Sequence, residues 1–238
     1  FPEIARRYTE TPLSPEADFG FDLSALQVPE DTTLVTIVNP NNPNGGVFDM
    51  APLPGLLRRH PDTLFLVDEA FIGLAGESVA PLVPAHPNLI VTRTLSKAHS
   101  LAGFRVGYAV LPEPLADDLN THNDAYPLAR PSEAAALATL RNEPKIAARM
   151  AELKSWTAEL AAEIRALGVR TYPTRTYFFL ADFAPHDASR LAAELRARNI
   201  LVKALNDPRI GNGFMRITTA LPQDNARFVE NLRALLRG

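Results

Sequence analysis

Thr92-Arg-Thr-Leu-Ser-Lys97-Ala-His-Ser-Leu-Ala-Gly-Phe-Arg105-Val-Gly-Tyr108 is the stretch that decides how this chain reads. Lysine is scarce: Lys97, Lys145, Lys154 and Lys203 are the whole set. Lys97 follows the apolar run Leu89-Ile-Val91 and sits among small and hydroxyl residues, which is not the setting of a lysine that covers a solvated face. A partly desolvated lysine has a lowered pKa and can act as a nucleophilic amine. Arg105, further along the same stretch, offers a forked donor suited to phosphate. Taken alone, Lys97 could equally be a surface lysine after a strand.

Around this stretch the chain alternates short apolar strands with helices. Leu34–Val38 is expected to be a buried strand, Leu53–His60 a short helix and Leu64–Val67 a second strand ending at Asp68. Leu89–Val91 and Arg105–Val110 supply two more strands. This pattern indicates a buried, mainly parallel α/β sheet. Ligands gather at the carboxyl ends of strands in such sheets, where Asn42, Asp68 and Lys97 all fall. The second half changes character. Pro131–Leu140 reads as a helix. Ile146, Met150, Leu153, Thr157, Leu160, Ile164 and Leu167 then mark one face of a long helix stopped by Gly168. Strands at Tyr177–Leu180, Ile200–Lys203 and Phe214–Thr218 and helices at Ala188–Arg198 and Pro222–Leu236 complete a small α+β unit. The expected division is a large domain over residues 1–142 and a small one over residues 143–238, opening with the long helix.

Bulk properties narrow the classes. The 238 residues are 46% hydrophobic and 21% charged, with a formal net charge of −3. That balance gives no support for nucleic-acid or membrane-surface binding. Cysteine is absent, which removes disulfides and thiolate metal sites. No apolar run approaches the roughly 18 residues of a membrane span. His60, His86, His122 and His186 show no ligand spacing, and His99 is expected to serve packing or the loop.

A Schiff-base lysine beside a phosphate-binding arginine suggests pyridoxal phosphate. The quoted stretch resembles the cofactor-lysine segment of fold-type I pyridoxal-phosphate enzymes, specifically the class I/II aminotransferases. Its wording is similar to histidinol-phosphate aminotransferases and the related threonine-phosphate decarboxylases. Three further motifs carry the resemblance in the same order. Asn39-Pro-Asn-Asn42-Pro-Asn-Gly45 resembles the family loop Asn-Pro-x-Asn-Pro-Thr-Gly, which implies that Asn42 donates its amide to the cofactor's ring oxygen; by itself the loop is a plain turn signal. Asp68-Glu-Ala-Phe71 resembles Asp-x-Ala-Tyr, which implies that Asp68 pairs with the pyridine nitrogen; alone it could be a helix cap. Phe71 stands where the family has a tyrosine and lacks its hydroxyl. Phe214-Met-Arg216-Ile-Thr matches the small-domain arginine that grips a substrate anion; alone it could be a strand-end surface arginine.

The resemblance also implies that Lys97 carries the cofactor and moves a proton at the substrate α-carbon. Arg105 and Thr94 would hold the cofactor phosphate. Lys203 stands where phosphate-specific relatives have arginine, and Tyr177 where an asparagine is typical. Phe1 aligns with an aromatic that stacks on the cofactor ring. The chain starts without an initiator Met or a targeting segment, and the resembling enzymes are longer. An N-terminally incomplete chain is expected, with the rest of the phosphate cradle before Phe1. The implied activity is amino-group exchange between an amine, histidinol phosphate or a related amino acid, and a 2-oxo acid, by a cytoplasmic homodimer of amino-acid biosynthesis. Threonine-phosphate decarboxylation at the same site is an alternative. A non-catalytic pyridoxal-phosphate-sensing regulator domain is another.

Overall fold

The structure is a computed structural model that describes residues 7–124 and 126–237. Two four-stranded sheets organise it. In the first, β1 (Leu34–Val38), β2 (Leu64–Asp68) and β3 (Leu89–Thr94) are parallel, and β4 (Gly107–Val110) closes the order β1-β2-β3-β4 antiparallel to β3. The crossover from β1 to β2 contains α1 (Leu53–Arg59), whose last-turn Arg58 and Arg59 suit the negative helix end. Leu53, Leu56 and Leu57 of α1 bury fully against Ile37, Phe65, Val67, Leu89 and Val91. Each such side chain contributes about 1.5–3 kcal/mol of hydrophobic stabilisation.

The sequence leads to β1 as a buried strand, and here the structure differs. Among the described residues β1 pairs with β2 alone, leaving Leu34 and Thr36 exposed and Ile37 alone fully buried. An apolar β-branched run fits both situations, because strand preference follows packing on one face. The β4 strand also starts later than expected. A 3-10 turn over Ala102–Phe104 ends at Arg105 in the left-handed conformation (φ 56°), so pairing begins at Gly107.

The chain continues through α2 (Ile72–Ala75), α3 (Glu113–Asn120), α4 (Arg130–Leu140) and α5 (Glu143–Arg165). The second sheet is wholly antiparallel, with order β5-β6-β8-β7 from β5 (Arg170–Thr171), β6 (Phe178–Asp182), β7 (Lys203–Ala204) and β8 (Phe214–Thr218). Alternation sorts its faces. Phe179, Ala181, Met215 and Ile217 face α5, α6 (Ala188–Ala197) and α7 (Pro222–Leu235), meeting Leu160, Ile164, Leu191, Leu195, Phe228 and Leu232. The expected stripe on α5 is observed: Met150, Thr157, Leu160 and Ile164 are buried, and Gly168 (φ 86°) turns the chain out towards β5. Asp187 caps α6, accepting from the Arg190 amide at 2.8 Å. The strand expected at Ile200–Lys203 contracts to Lys203–Ala204, because Ile200 and Val202 pack on the helix-side core without pairing in the sheet. On the opposite face, Leu180, Tyr172 and Phe214 are covered by Leu13 and Phe19. The early segment therefore packs on a sheet built much later in the chain.

Candidate active site

The carboxyl ends of β1, β2 and β3 lie side by side, and the second sheet presents Phe178 and Arg216 towards them. The turn after β1 is held by its own side chains. Asn39 Oδ1 accepts from the Phe48 amide at 2.9 Å, and Asn44 Oδ1 from the Gly46 amide at 3.1 Å. Gly45, at φ 76°, lets this turn press on the segment before β6: its carbonyl accepts from the Arg175 amide at 2.8 Å. The clamp fixes Asn42, whose Oδ1 accepts from Arg216 Nη1 at 2.9 Å. Among the described residues, no hydrogen bond uses the Asn42 amide nitrogen, so that donor is available to a ligand.

Asp68 is the last residue of β2. Its Oδ1 accepts from the Ala70 amide at 3.0 Å, the local turn that its helix-cap alternative would produce. The neighbouring Glu69, which sequence reasoning passed over, is buried. It accepts from Ser78 Oγ at 2.7 Å, the Val79 amide at 2.8 Å and Arg93 Nε at 2.9 Å. Burial opposes the Arg93 charge, but bonding to Tyr108 and Glu69 outweighs it and holds the guanidinium above its usual pKa. This ion pair ties the ends of β2 and β3 together directly beside Asp68 and Thr94. The signal for it was a carboxylate immediately after Asp68, in a run otherwise apolar.

Lys97 is exposed, contrary to the desolvated lysine expected from its flanks. The reason is local: the residues after β3 form a loop, and only Leu95 and Ala98 of the immediate neighbours turn inward. The ammonium lies 5.3 Å from the centroid of the Phe71 ring, which is itself buried. Thr94 Oγ1 lies 3.2 Å from the Val106 carbonyl and accepts from the Ser96 amide at 3.0 Å, so this hydroxyl closes the turn ahead of Lys97. Arg105 is exposed, with one guanidinium nitrogen on the Ala102 carbonyl at 2.9 Å. His99 Nε2 lies 3.3 Å from Glu143 Oε2, linking the Lys97 loop to the start of α5. Arg216 sits 5.3 Å from the Phe178 ring, and its Nε is buried without a partner among the described residues. Lys203 is its register partner across the β7–β8 ladder, on the same face, and is exposed. Phe1, the expected ring-stacking aromatic, lies outside the described residues.

A cavity of about 300 Å³ opens beside Lys97, lined also by Ser96, Ser100, Arg149, Tyr177 and Thr219. Arg149 was not foreseen, because it lies on a helix whose apolar stripe dominated the reading. Among the described residues no cluster of His, Asp and Glu could hold a metal, and no helix is long and apolar enough to cross a membrane.

Comparison with known proteins fits this arrangement. Residues 6–232 match the family described as aminotransferase class I and II. The chain belongs to that family. Histidinol-phosphate aminotransferase 2 of Thiobacillus denitrificans is 37% identical over 204 residues, covering 84% of this chain and 57% of the relative. A histidinol-phosphate aminotransferase of Acinetobacter baumannii is 33% identical over 227 residues, covering 94% and 62%. The chain thus spans about three-fifths of the length of these relatives. The fold is that of fold-type I enzymes. Histidinol-phosphate aminotransferase of Clostridium acetobutylicum superposes with a TM-score of 0.82 at 22% identity, over 87% of this chain and 65% of that one. L-threonine-O-3-phosphate decarboxylase of Porphyromonas gingivalis gives 0.81 at 24% identity, over 92% and 68%.

Proposed function

We propose that this chain carries the cofactor lysine and the substrate-anion site of a pyridoxal-phosphate-dependent aminotransferase acting on histidinol phosphate or a closely related amine, with a 2-oxo acid as partner substrate. One observation carries the reading: an amine, a carboxylate and an amide lie at or just past the ends of three adjacent strands, and Arg216 reaches across from the second sheet to the amide. This donor set fits pyridoxal phosphate. Lys97 offers a primary amine, and Asp68 a carboxylate with one oxygen committed to Ala70. Among the described residues the Asn42 nitrogen is uncommitted, and Arg105 keeps further guanidinium donors beyond its bond to Ala102. When bound, the cofactor supplies an electron sink for the pair released at the substrate's α-carbon.

The chain's own residues do the rest. Asp68, charged, favours a protonated ring nitrogen and so keeps the sink strong. Asn42 orients the ring oxygen, and Arg105 neutralises the phosphate. Phe71 shields one side of Lys97, whose Nζ takes and returns the proton at the α-carbon. Arg216 grips the substrate's anionic arm and sets the angle of the bond to be broken, a positioning effect. Lys203, across the ladder, adds a second positive charge to that arm. The working unit is a homodimer; the exposed Leu119, Tyr126, Leu128, Leu137 and Leu140 support a buried face there. The same reading places the enzyme in the cytoplasm, among free amines and 2-oxo acids.

Borohydride reduction of the full-length, cofactor-loaded protein followed by peptide mapping tests the assignment. The pyridoxyl label is expected on Lys97; a label on Lys145, Lys154 or Lys203 instead would overturn it. A panel of histidinol phosphate, threonine phosphate and aromatic amino acids, scored for amino transfer and for carbon dioxide, tests the reaction. Carbon dioxide from threonine phosphate without transfer would make the enzyme a decarboxylase. No turnover of any member would favour a regulatory domain.

A further inference from the structure

We infer that Tyr177 determines substrate specificity at this site, its hydroxyl donating a hydrogen bond to the oxyanion of an amine substrate whose nitrogen reacts at Lys97. The inference rests on the proposed function above and adds a residue to its anion site.

Three aromatic rings form one cluster between the sheets. Phe71 and Phe178 meet edge to face at 4.9 Å, Tyr177 and Phe178 at 5.7 Å, and Phe71 and Tyr177 at 6.0 Å. The two phenylalanines each carry a cation: Lys97 Nζ lies 5.3 Å from the Phe71 centroid, and the Arg216 guanidinium 5.3 Å from that of Phe178. The cluster therefore joins the nucleophilic amine to the anion anchor, and Tyr177 is its one member with a polar tip. Its backbone is fixed, with the carbonyl accepting from the Thr219 amide at 2.8 Å. Tyr177 also lines the Lys97 cavity.

Among the described residues, the Tyr177 hydroxyl enters no hydrogen bond. Here the cavity is where a partner would come from. Burial pushes the phenol's pKa up, with the Arg216 charge pulling the other way but not winning. The group is thus protonated at neutral pH and is a donor. A neutral donor near two cations suits a carboxylate or phosphate oxygen and offers nothing to a cationic arm.

The test uses the full-length, cofactor-loaded protein and calorimetric titration with inorganic phosphate and with succinate, neither of which can donate an amine. Tyr177→Phe keeps the ring packing, so its melting temperature should match that of the wild type. Loss of a hydrogen bond to a charged group should weaken binding of the anion about ten-fold or more, and raise KM for an anionic amine more than it lowers kcat. Weakening for phosphate alone assigns a phosphate-bearing substrate, and weakening for succinate a carboxylate. Binding by Tyr177→Phe within two-fold of wild type, while Arg216→Ala loses the anion, would overturn the role of Tyr177 and leave the site intact. Unchanged binding in Arg216→Ala, or no binding of either anion by the wild type, would overturn the anion site and the inference together.

Discussion

Gly45→Ala is the change that should most directly separate the two halves of the site. Gly45 has φ 76°, where an L side chain costs about 1–2 kcal/mol. An added Cβ would overlap Thr174 Oγ1 and come within 2.7 Å of both the Phe178 carbonyl oxygen and Thr176 Oγ1. Thr174 could rotate away, but its hydroxyl lies 2.6 Å from the Phe178 carbonyl and accepts from the Thr176 amide at 3.0 Å. Losing those bonds costs about 2 kcal/mol. The Phe178 carbonyl is backbone and cannot rotate, so the turn must shift, at about 1–3 kcal/mol for overpacking. The expected loss is about 4–7 kcal/mol, a large part of the about 5–15 kcal/mol that stabilises a domain. Urea unfolding followed by tryptophan fluorescence measures it. Thr174→Ala in the same background removes one clashing atom, so the double variant should be more stable than the two single losses predict. A loss below about 2 kcal/mol, or strict additivity, would refute the account of the clamp.

Three further expectations follow from the structure. Asp68→Asn should still bind the cofactor, seen by its absorbance, yet lose turnover by orders of magnitude, since a neutral ring is a poor electron sink; near-normal turnover would leave Asp68 as a turn residue alone. Glu69→Ala breaks a buried ion pair, but Arg93 keeps 27% of its side-chain surface in solvent. The loss in melting experiments should therefore fall near the lower end of the usual range, about 3 kcal/mol. Arg209 holds the Asp207 carboxyl down to about 2 in the folded state. Its contribution is complete above the ordinary carboxylate pKa of about 4 and fades as pH falls towards 2, so Asp207→Asn should lower stability at neutral pH, leave it unchanged near pH 2 and thereby flatten the acid limb of a stability–pH curve.

The legible part of this molecule was the part governed by local pattern. β2, β8, α1 and α5 follow from apolar runs and helical spacing, and Asn42, Asp68 and Lys97 from their places after strands. What failed or escaped notice depends on neighbours far along the chain. Whether Leu34–Val38 lies inside a sheet or at its edge is set by which strands flank it, and the run itself is silent on that. Lys97 was expected to be desolvated because it follows an apolar run and sits among small and hydroxyl residues, yet exposure is decided by what packs over the loop. The Glu69–Arg93 pair and the Phe71–Tyr177–Phe178 cluster join residues from separate elements, and beyond the lone carboxylate after Asp68 the sequence carries no trace of either.

The packing of Phe19 on Tyr172 and Phe214 bears on how the chain is made. Phe19 leaves the ribosome about two hundred residues before the strand that buries it. At the usual elongation rate of about 5–20 residues per second, that is a wait of roughly ten to forty seconds. During it the first sheet can assemble from β1 to β4, but the apolar segment around Leu13 and Phe19 has no surface to occupy. The second sheet's outer face is closed by the earliest described part of the chain. Closure of that face is therefore a late event, and Leu13 and Phe19 are a stretch for a holding chaperone to cover until then.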